Sequence, residues 1–303
     1  MKKAIKNILR KIKNSRFSYI LKFLWDLLIP CLYSLAAVWW AVRGHRKPSP
    51  EEVQHIRENV TFLYKSFERK SMAKRLYRNI QRFYPGAKVI IADDSKKPLS
   101  LRGPGLTLIN LPFNSGLSVG LNRALEKVDT PYVFRMDDDE LLTPFTQLGR
   151  QLRFLGQNPN VDLVAVQALQ LKQFSKPEAS MEYYAKKSMS KAPKKLLIPH
   201  MTQLDDVHYV IGKPANVFLC HTEKLRQIGY DDHLRMLDHH EFFYRAAGVL
   251  VSAMDVSAWV FHYHNPFDTQ YHAYRMDYEN DLKYMRAKHS WKSPESKPEH
   301  FSQ

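Results

Sequence analysis

The stretch that decides the fold is Tyr132-Val133-Phe134-Arg135-Met136-Asp137-Asp138-Asp139-Glu140. Strand-forming residues follow the breaker Thr130-Pro131, and three consecutive carboxylates stand where the strand should end. Like charges at this spacing repel each other, so a cation is expected close to them. Hard divalent ions prefer oxygen ligands, and carboxylates combine with nucleotide phosphates to hold them. Because Asp137 and Asp139 point to one face of an extended segment, the stretch predicts a clamp for a metal ion and a diphosphate. The alternative is a solvated acidic turn.

The residues before this stretch alternate between strand patterns and helix patterns. Strands are predicted at 60–66, 89–92, 106–111 and 132–136, and helices at 71–84 and 117–127. Strands connected through helices imply right-handed crossovers. The chain is therefore expected to have an α/β fold, Rossmann-like, with a mainly parallel sheet and helices on both faces. Ligands of such sheets bind beyond the carboxyl ends of the strands.

Asp93 and Asp94 form a second acidic cluster, at the carboxyl end of the predicted strand 89–92. The two acidic clusters are therefore expected at the same edge of the sheet. This arrangement predicts a nucleotide pocket in which one cluster binds the base or ribose and the other binds metal and phosphate. Asp94 can accept a hydrogen bond from a nucleobase N–H or a ribose hydroxyl. Its alternative role is to cap a helix or a turn.

Most of the positive charge lies in the N-terminal segment. The chain has a formal net charge of +16 and a pI near 9.7. Residues 1–50 hold eleven Lys or Arg against a single acid, Asp26, which amounts to +10 and leaves +6 for the rest of the chain. This distribution argues against a nucleic-acid partner, and it predicts that the N-terminal arm meets an anionic membrane surface.

Residues 1–46 are expected to form a basic and apolar helical arm that associates with a membrane. Residues 23–42 are mostly apolar and about as long as a membrane span requires. Asp26 and Pro30 interrupt this run, and a carboxylate at the centre of a spanning helix costs about 2.5–3.5 kcal/mol. Three alternatives remain open: a single span, a helix or hairpin that lies in one leaflet, and an arm packed on the rest of the protein.

The sequence leaves the side of the membrane open. The excess of positive charge before the apolar run favours a cytoplasmic N-terminus, which would put the rest of the chain outside if the run spans. Cys31 and Cys220 lie in different environments and have no metal-type spacing, which favours a reducing compartment. Together with the interruptions of the apolar run, this leads us to expect a cytoplasmic globular part. Residues 47–58 are expected to be a linker and residues 290–303 a disordered tail.

Three stretches resemble, in order and spacing, the nucleotide-sugar half of family 2 glycosyltransferases. They are Val89-Ile90-Ile91-Ala92-Asp93-Asp94-Ser95, then Asn114-Ser115-Gly116 with Asn122, then Phe134-Arg135-Met136-Asp137-Asp138-Asp139. The resemblance is in particular to the β-1,4-N-acetylgalactosaminyltransferase group, where a strand ending in Ala-Asp-Asp-Ser precedes a Val-Asp-Asp-Asp-Phe stretch. It covers residues 60–264, about two thirds of the chain.

The resemblance implies a GT-A fold, with residues 59–140 as the nucleotide-sugar half and residues 141–289 as the acceptor half. It implies that Asp94 contacts the nucleoside, that Asp137 lies near the ribose or the metal, and that Asp139 ligates a divalent ion on the diphosphate. The residues expected to bind the donor are Asp93, Asp94, Asn114, Gly116, Asn122, Asp137 and Asp138.

The chain departs from the family pattern at the end of the first strand. The family has a Pro-Thr-Tyr-Asn type of turn there, whereas this chain has Lys65-Ser66-Phe67-Glu68-Arg69. Nucleoside contacts from this turn are therefore in doubt. Lys65 or Arg69 is a candidate to contact the pyrophosphate instead.

Two carboxylates in Leu237-Asp238-His239-His240-Glu241-Phe242-Phe243 are candidates for the catalytic base. Inverting sugar transfer needs a carboxylate that takes the proton of the acceptor hydroxyl. On a helix, Asp238 and Glu241 lie three residues apart and share a face. The segment resembles the acidic acceptor motif of the family, and its His-x-Glu-Phe-Phe form leads us to prefer Glu241 slightly. The alternative is a helix N-terminus that favours acids through its dipole.

His262 and His264 are candidates for an additional metal ligand. They share a face of the strand predicted at 259–264. A histidine in this late position resembles the extra ligand that some family members add to the site of Asp137 and Asp139. An imidazole ligand favours Mn²⁺ over Mg²⁺, and the alternative is a buried histidine that only forms hydrogen bonds.

These expectations combine into a metal-dependent, inverting glycosyltransferase. Its donor is expected to be a nucleotide-diphosphate sugar, UDP-linked, and its acceptor a hydroxyl of a glycan or a lipid-linked glycan. One alternative is a nucleotidyltransferase, which would have a glycine-rich phosphate loop after the first strand, whereas residues 65–70 contain no glycine. The other alternative is a catalytically silent, membrane-tethered binding module.

Overall fold

A computed structural model describes residues 18–45, 47–170, 184–185, 194–263, 265, 267–274 and 278–289. Three expectations fall outside these residues. They concern the basic segment 1–17, the candidate ligand His264 and the tail 290–303.

The described residues form one nine-stranded sheet. The strands are β1 Val60–Ser66, β2 Lys88–Asp93, β3 Leu106–Asn110, β4 Tyr132–Arg135, β5 Glu140–Leu141, β6 Leu163–Leu169, β7 His208–Val210, β8 Phe218–His221 and β9 Ser252–His262. Their order is β3-β2-β1-β4-β8-β6-β9-β5, and β7 pairs with β9. The first four strands are parallel, β8 is antiparallel to both of its neighbours, and β6 and β9 are parallel. The α/β fold is confirmed, with β1 to β4 parallel and a mixed sheet beyond them.

Two helices precede the first strand, and the others lie between the strands or after the last of them. They are α1 Ser18–Val42, α2 Pro50–Asn59, α3 Lys70–Phe83, α4 Leu117–Leu125, α5 Leu148–Gln157, α6 Thr222–Ile228, α7 Asp238–Ala246, α8 Thr269–Tyr274 and α9 Tyr278–His289. β9 begins at Ser252, seven residues before the predicted strand, because polar residues such as the buried Asp255 hide its pattern.

Alternate side chains of β1 pack on opposite faces of the sheet. Phe62 and Tyr64 lie in one core cluster with Leu76 of α3. Leu63, between them, lies in the other cluster with Leu121 of α4. Because both faces of the strand are buried against helices, its sequence is a continuous apolar run rather than an alternating one.

The segment expected to be a linker contains helix α2. Ser49 caps this helix, since its Oγ accepts a hydrogen bond from the N–H of Glu52 at 3.2 Å, and Pro50 occupies the first helical turn. Proline is favoured at that position because the N–H it lacks would be unpaired in any case. Ile56 is fully buried in the core. The two prolines of the segment therefore mark the start of a helix, and residues 50–58 are part of the globular unit.

Helix α1 is long and apolar enough to cross a bilayer. Its mean hydropathy over an 18-residue window is 1.6, and only 11% of that window is buried. The buried side packs on the sheet: Ile29 lies in a cluster with Phe261, and Trp40 lies in a cluster with Trp259. The helix thus has one face on the domain and one face exposed.

The burial of Ile56 provides a test of whether α2 belongs to the fold. We expect Ile56→Ala to lower the free energy of unfolding by about 2–5 kcal/mol, because the truncated side chain leaves a cavity. Urea denaturation followed by circular dichroism measures this change. Gln54→Ala, at an exposed position of the same helix, is the control and should change stability by less than about 0.5 kcal/mol. Equal effects of the two substitutions would contradict this assignment.

Candidate active site

The two acidic clusters lie at the same edge of the sheet. β1 pairs with β2 on one side and with β4 on the other. Asp93 is the last residue of β2, and Asp94 follows it. Asp137, Asp138 and Asp139 come shortly after the end of β4. The end of β1 therefore lies between the two acidic clusters. Lys65, the next-to-last residue of β1, forms an ion pair with Asp94, its Nζ lying 2.5 Å from Oδ1. The sheet topology therefore brings distant carboxylates to one site.

The acidic stretch after β4 forms a turn and is not extended. The N–H of Glu140 donates to the carbonyl of Asp137 at 3.2 Å, and the N–H of Asp137 donates to the Glu140 carboxylate at 2.8 Å. This turn overturns the expectation that Asp137 and Asp139 share one face. Instead, Asp138 and Asp139 share a partner, and Asp137 is directed to another.

Arg69 is the shared partner of Asp138 and Asp139. Its Nη1 donates to Oδ2 of Asp139 at 2.8 Å, and its Nη2 donates to Oδ1 of Asp138. The guanidinium also lies over the ring of Tyr271, 3.9 Å from the centroid. All three charged groups are largely buried, so the guanidinium neutralises carboxylates that water reaches poorly.

The pKa values of the two carboxyl groups held by Arg69 are shifted in opposite directions. Burial raises the pKa of Asp138 to about 7, and the neighbouring carboxylates add to the rise against the effect of Arg69. Burial would also raise the pKa of Asp139, but Arg69 and His262 together hold it well below its usual range. Asp139 is therefore the carboxylate that remains ionised at the site.

His262 lies beside Asp139. Its Nε2 is 3.7 Å from Oδ1 of Asp139, and this carboxylate raises the pKa of the imidazole against the effect of burial. No group of three or more His, Cys, Asp or Glu side chains converges among the residues that the structure describes. However, Oδ2 of Asp138 is buried without a hydrogen-bond partner. A carboxylate oxygen of Asp139 and an imidazole nitrogen of His262 fit a divalent ion that takes its other ligands from phosphates and water.

Asp94 is held at the other side of β1. It is fully buried, and its Oδ2 accepts a hydrogen bond from the N–H of Gly116 at 3.0 Å. Burial raises the pKa of Asp94, and the contacts with Lys65 and Gly116 oppose this rise. Asn114 has a φ of 55° and donates its N–H to the carbonyl of Asp94 at 3.0 Å. Asn114 and Gly116 therefore shape the loop that encloses Asp94.

Two other residues predicted to bind the sugar donor, Asp93 and Asn122, form hydrogen bonds within the protein. Asp93 accepts hydrogen bonds from the hydroxyl of Ser95 and the N–H of Leu99, both at 2.7 Å. Asn122 exchanges hydrogen bonds with the backbone of Tyr230 at 2.8 and 2.9 Å. These contacts give both side chains a role in holding loops together.

Glu241 is tied to the C-terminal helix. Its carboxylate is fully buried and accepts hydrogen bonds from Nε of Arg245 at 2.7 and 2.8 Å. Lys288 lies 2.7 Å from it and His289 lies 3.2 Å from it. A carboxylate with two cationic partners, Arg245 and Lys288, is a poor acceptor for a substrate proton. These contacts tie Glu241 to α9, and its role as the base stays a prediction from the sequence.

Asp238 lies near the acidic turn, and Arg135 connects the two. This arginine is fully buried at the end of β4, and its Nη1 is 2.8 Å from Oδ1 of Asp137. Its Nη2 is 3.7 Å from Oδ2 of Asp238. One guanidinium thus lies between Asp137 and the candidate base Asp238. Sequence reasoning missed this role of Arg135, although a charged residue between Phe134 and Met136 was a signal.

Asp281 of α9 is a second residue that the sequence analysis missed. Its carboxylate is buried and accepts hydrogen bonds from the N–H groups of Arg235, Met236 and Leu237, at distances between 2.7 and 3.3 Å. These groups lead into α7, which begins at Asp238. No local pattern in the sequence joins residues this far apart.

Comparisons with known proteins found a family match and several relatives. Residues 64–204 match the family described as Glycosyl transferase family 2. The chain is 32% identical over 210 residues to Beta-1,4 N-acetylgalactosaminyltransferase 1 of Homo sapiens, and 32% identical over 206 residues to Beta-1,4 N-acetylgalactosaminyltransferase 2 of Mus musculus. These alignments cover 66% and 67% of this chain but only 38% and 39% of the relatives. The chain thus spans well under half the length of these relatives.

Solved structures share the fold at low sequence identity. S. aureus TarS 1–349 superposes with a TM-score of 0.54 and 14% identity, over 76% of this chain and 64% of that chain. The mannosyltransferase PcManGT from Pyrobaculum calidifontis, solved with GDP-Man and Mn²⁺, has a TM-score of 0.51 and 18% identity, over 88% of this chain and 76% of that chain.

The sheet and these likenesses show a fold of the GT-A type. The chain is similar to the family 2 glycosyltransferases over residues 64–204, and to the β-1,4-N-acetylgalactosaminyltransferases over about two thirds of its length.

The contact of Asp281 with the start of α7 leads to a prediction. We expect Asp281→Ala to lower the free energy of unfolding by about 1–3 kcal/mol, because buried N–H groups lose their acceptor. Urea denaturation measures the change. The control is Glu279→Ala, an exposed acid of the same helix, which should be nearly neutral. An Asp281 variant as stable as its control would show that this carboxylate does not hold α7.

Proposed function

We propose that this chain is a metal-dependent, inverting glycosyltransferase. It transfers a sugar from a nucleotide-diphosphate sugar, UDP-linked, to a hydroxyl group of a glycan or lipid-linked acceptor. The observation that carries the proposal is the contact of Arg135 with both Asp137 and Asp238. Through this contact a single guanidinium connects Asp137, on the proposed donor side, with Asp238, which can take the proton of the acceptor.

Donor binding is assigned to the edge around β1. Asp94 binds the nucleoside, with Lys65 beside it, and Arg69 binds the diphosphate near Asp138 and Asp139. The guanidinium of Arg69 suits a diphosphate because it presents parallel N–H donors. Asp139 and His262 would hold Mn²⁺ or Mg²⁺, which supplies charge neutralisation for the leaving diphosphate.

Asp238 is assigned as the general base. Its carboxylate takes the proton of the acceptor hydroxyl while the acceptor oxygen forms a bond to the anomeric carbon. The bond from that carbon to the diphosphate oxygen breaks, and its electron pair leaves with the nucleoside diphosphate. Because the acceptor attacks opposite the leaving group, the configuration at this carbon is inverted.

The relatives support an N-acetylhexosamine as the transferred sugar. Two of them are named as β-1,4-N-acetylgalactosaminyltransferases, and S. aureus TarS has been solved with UDP-GlcNAc. The apolar helix α1 supports membrane association, and we propose that the catalytic domain lies on the cytoplasmic side. An acceptor carried on a membrane lipid suits this location.

A donor screen tests the proposed reaction. The purified chain is incubated with UDP-GalNAc, UDP-GlcNAc, UDP-Gal, UDP-Glc and GDP-Man in Mn²⁺, and release of nucleoside diphosphate is measured. We expect a UDP-sugar to be turned over, and we expect chelation by EDTA or the Asp139→Ala substitution to abolish turnover. Retention of full activity by Asp139→Ala, with the wild type active, would refute the assigned metal site. Absence of turnover with every donor would count against the transferase itself.

The assignment of the base leads to a second prediction. We expect Asp238→Asn to lower kcat by about 10²–10⁴-fold with donor binding preserved, since a general base contributes this much. Glu241→Gln is the matched comparison on the same helix, and it should lower stability with kcat within a few-fold of the wild type. Steady-state kinetics and thermal denaturation of both variants separate the two roles. The reverse pattern would make Glu241 the base.

A further inference from the structure

We propose that α1 is an in-plane membrane anchor. The helix stays packed along the surface of the domain and inserts its outward apolar face into one anionic leaflet. This inference goes beyond the proposed reaction and does not depend on it, because it rests on the contacts of α1 alone.

Polar contacts hold the first half of α1 on the domain. Nζ of Lys22 lies 2.8 Å from Oδ2 of Asp268. The carboxylate of Asp26 accepts hydrogen bonds from the hydroxyl of Tyr263 at 2.5 Å and from Nδ2 of Asn265 at 3.0 Å. Asp26 interrupts the apolar run of the sequence, and the structure gives it partners on the domain. Its charge is therefore directed to the protein and not to lipid.

Further contacts hold the second half of the helix. The hydroxyl of Tyr33 donates to the carbonyl of Leu142 at 2.5 Å, and its ring stacks on Phe261 with centroids 5.8 Å apart. The ring of Trp40 meets Phe145 and Trp259, with centroids 5.7 and 5.5 Å away. These three aromatic contacts extend the attachment nearly to the end of the helix.

The length of this attachment argues against a span. Contacts run from Lys22 to Trp40, a distance of about 27 Å at 1.5 Å per residue. The hydrocarbon core of a bilayer is about 30 Å thick. A spanning α1 would therefore either carry the polar surface of the domain into hydrocarbon or break all of these contacts. Breaking them would leave Asp26 in the membrane without its partners.

The outward face of α1 is apolar along its whole length. Its large side chains are 50–81% exposed: Tyr19, Ile20, Phe23, Leu24, Leu27, Leu28, Leu35, Val38, Trp39 and Val42. Such a row is typical of helices that lie at the boundary between head groups and acyl chains. A helix that was merely packed on the domain would not expose these residues to water.

The charges around α1 specify an anionic lipid surface. Residues 1–17 contain seven Lys or Arg and no acid, and Arg43 and Lys47 follow the helix. The guanidinium of Arg43 lies over the ring of Trp39, 4.2 Å from its centroid, which is an interfacial pair. Basic residues near an anionic membrane strengthen binding to it.

The anchor is joined to the candidate site through one residue. The hydroxyl of Tyr263 donates to Asp26, while its backbone N–H donates to the carbonyl of Asp139 at 2.6 Å. The in-plane helix thus lies close to the acidic turn, which would hold the site near the lipid surface.

The native cysteines allow a direct test with the full chain. Cys31 is exposed near the middle of α1, whereas Cys220 is buried. A fluorophore is attached to Cys31, and its depth in phosphatidylglycerol-containing vesicles is measured with quenchers placed at known depths. Tyr19→Cys and Val42→Cys, each combined with Cys31→Ser, report on the two ends of the helix. Cys31→Ser alone controls for labelling of Cys220.

The in-plane anchor predicts that all three labels lie at a similar shallow depth, about 5–10 Å into the boundary region. A label on Cys31 that lies near the bilayer centre, with both ends shallower, would establish a span and overturn the proposal. Absence of quenching at all three positions would overturn it as well.

A second experiment separates lipid binding from folding. We expect Leu24→Asp with Leu28→Asp to reduce the fraction bound to anionic vesicles at least tenfold, with the same Tm as the wild type. Binding should also fall when phosphatidylglycerol is replaced by phosphatidylcholine. Unchanged binding of the double variant would refute the assigned face.

Discussion

The structure depends on the neutralisation of carboxylates that are crowded at the end of a buried strand. Asp137, Asp138 and Asp139 follow β4 in a tight turn, where water screens Asp138 and Asp139 poorly. Arg69 neutralises Asp138 and Asp139 from the start of α3, and Arg135 neutralises Asp137 from β4 itself. Buried ion pairs of this kind contribute little net stability, but losing one partner is strongly destabilising. The site can therefore exist only where both arginines are in place.

The two carboxylates of α7 show how neighbours decide the role of a residue. Asp238 and Glu241 lie one helical turn apart and are both buried. Arg245, Lys288 and His289 surround Glu241, so that it joins α7 to α9. Asp238 instead approaches Arg135 and the acidic turn. Helix α9 thus binds Glu241 of α7, whereas Asp238 of α7 remains on the side of the site.

Much of the nucleotide half was predictable because its strands are buried on both faces. Strand 60–66 was predicted with the bounds that β1 has, and both acidic clusters were expected at one edge of the sheet. The acidic turn was not predictable in its geometry, because Glu140 closes it through hydrogen bonds that no spacing rule describes. The helical role of Pro50 was missed because a proline before a strand resembles a linker and a first helical turn equally well.

The sequence by itself determined the α/β class, the positions of the first four strands along the chain and the apolar character of α1, because these follow from local periodicity. Only the tertiary structure decided which charges meet. Lys65 with Asp94, Arg69 with Asp139, Arg135 with Asp238 and Asp26 with Tyr263 join residues between 29 and 237 positions apart. Electrostatic partners depend on distance in space, and chain spacing carries no information about that distance until the sheet has formed.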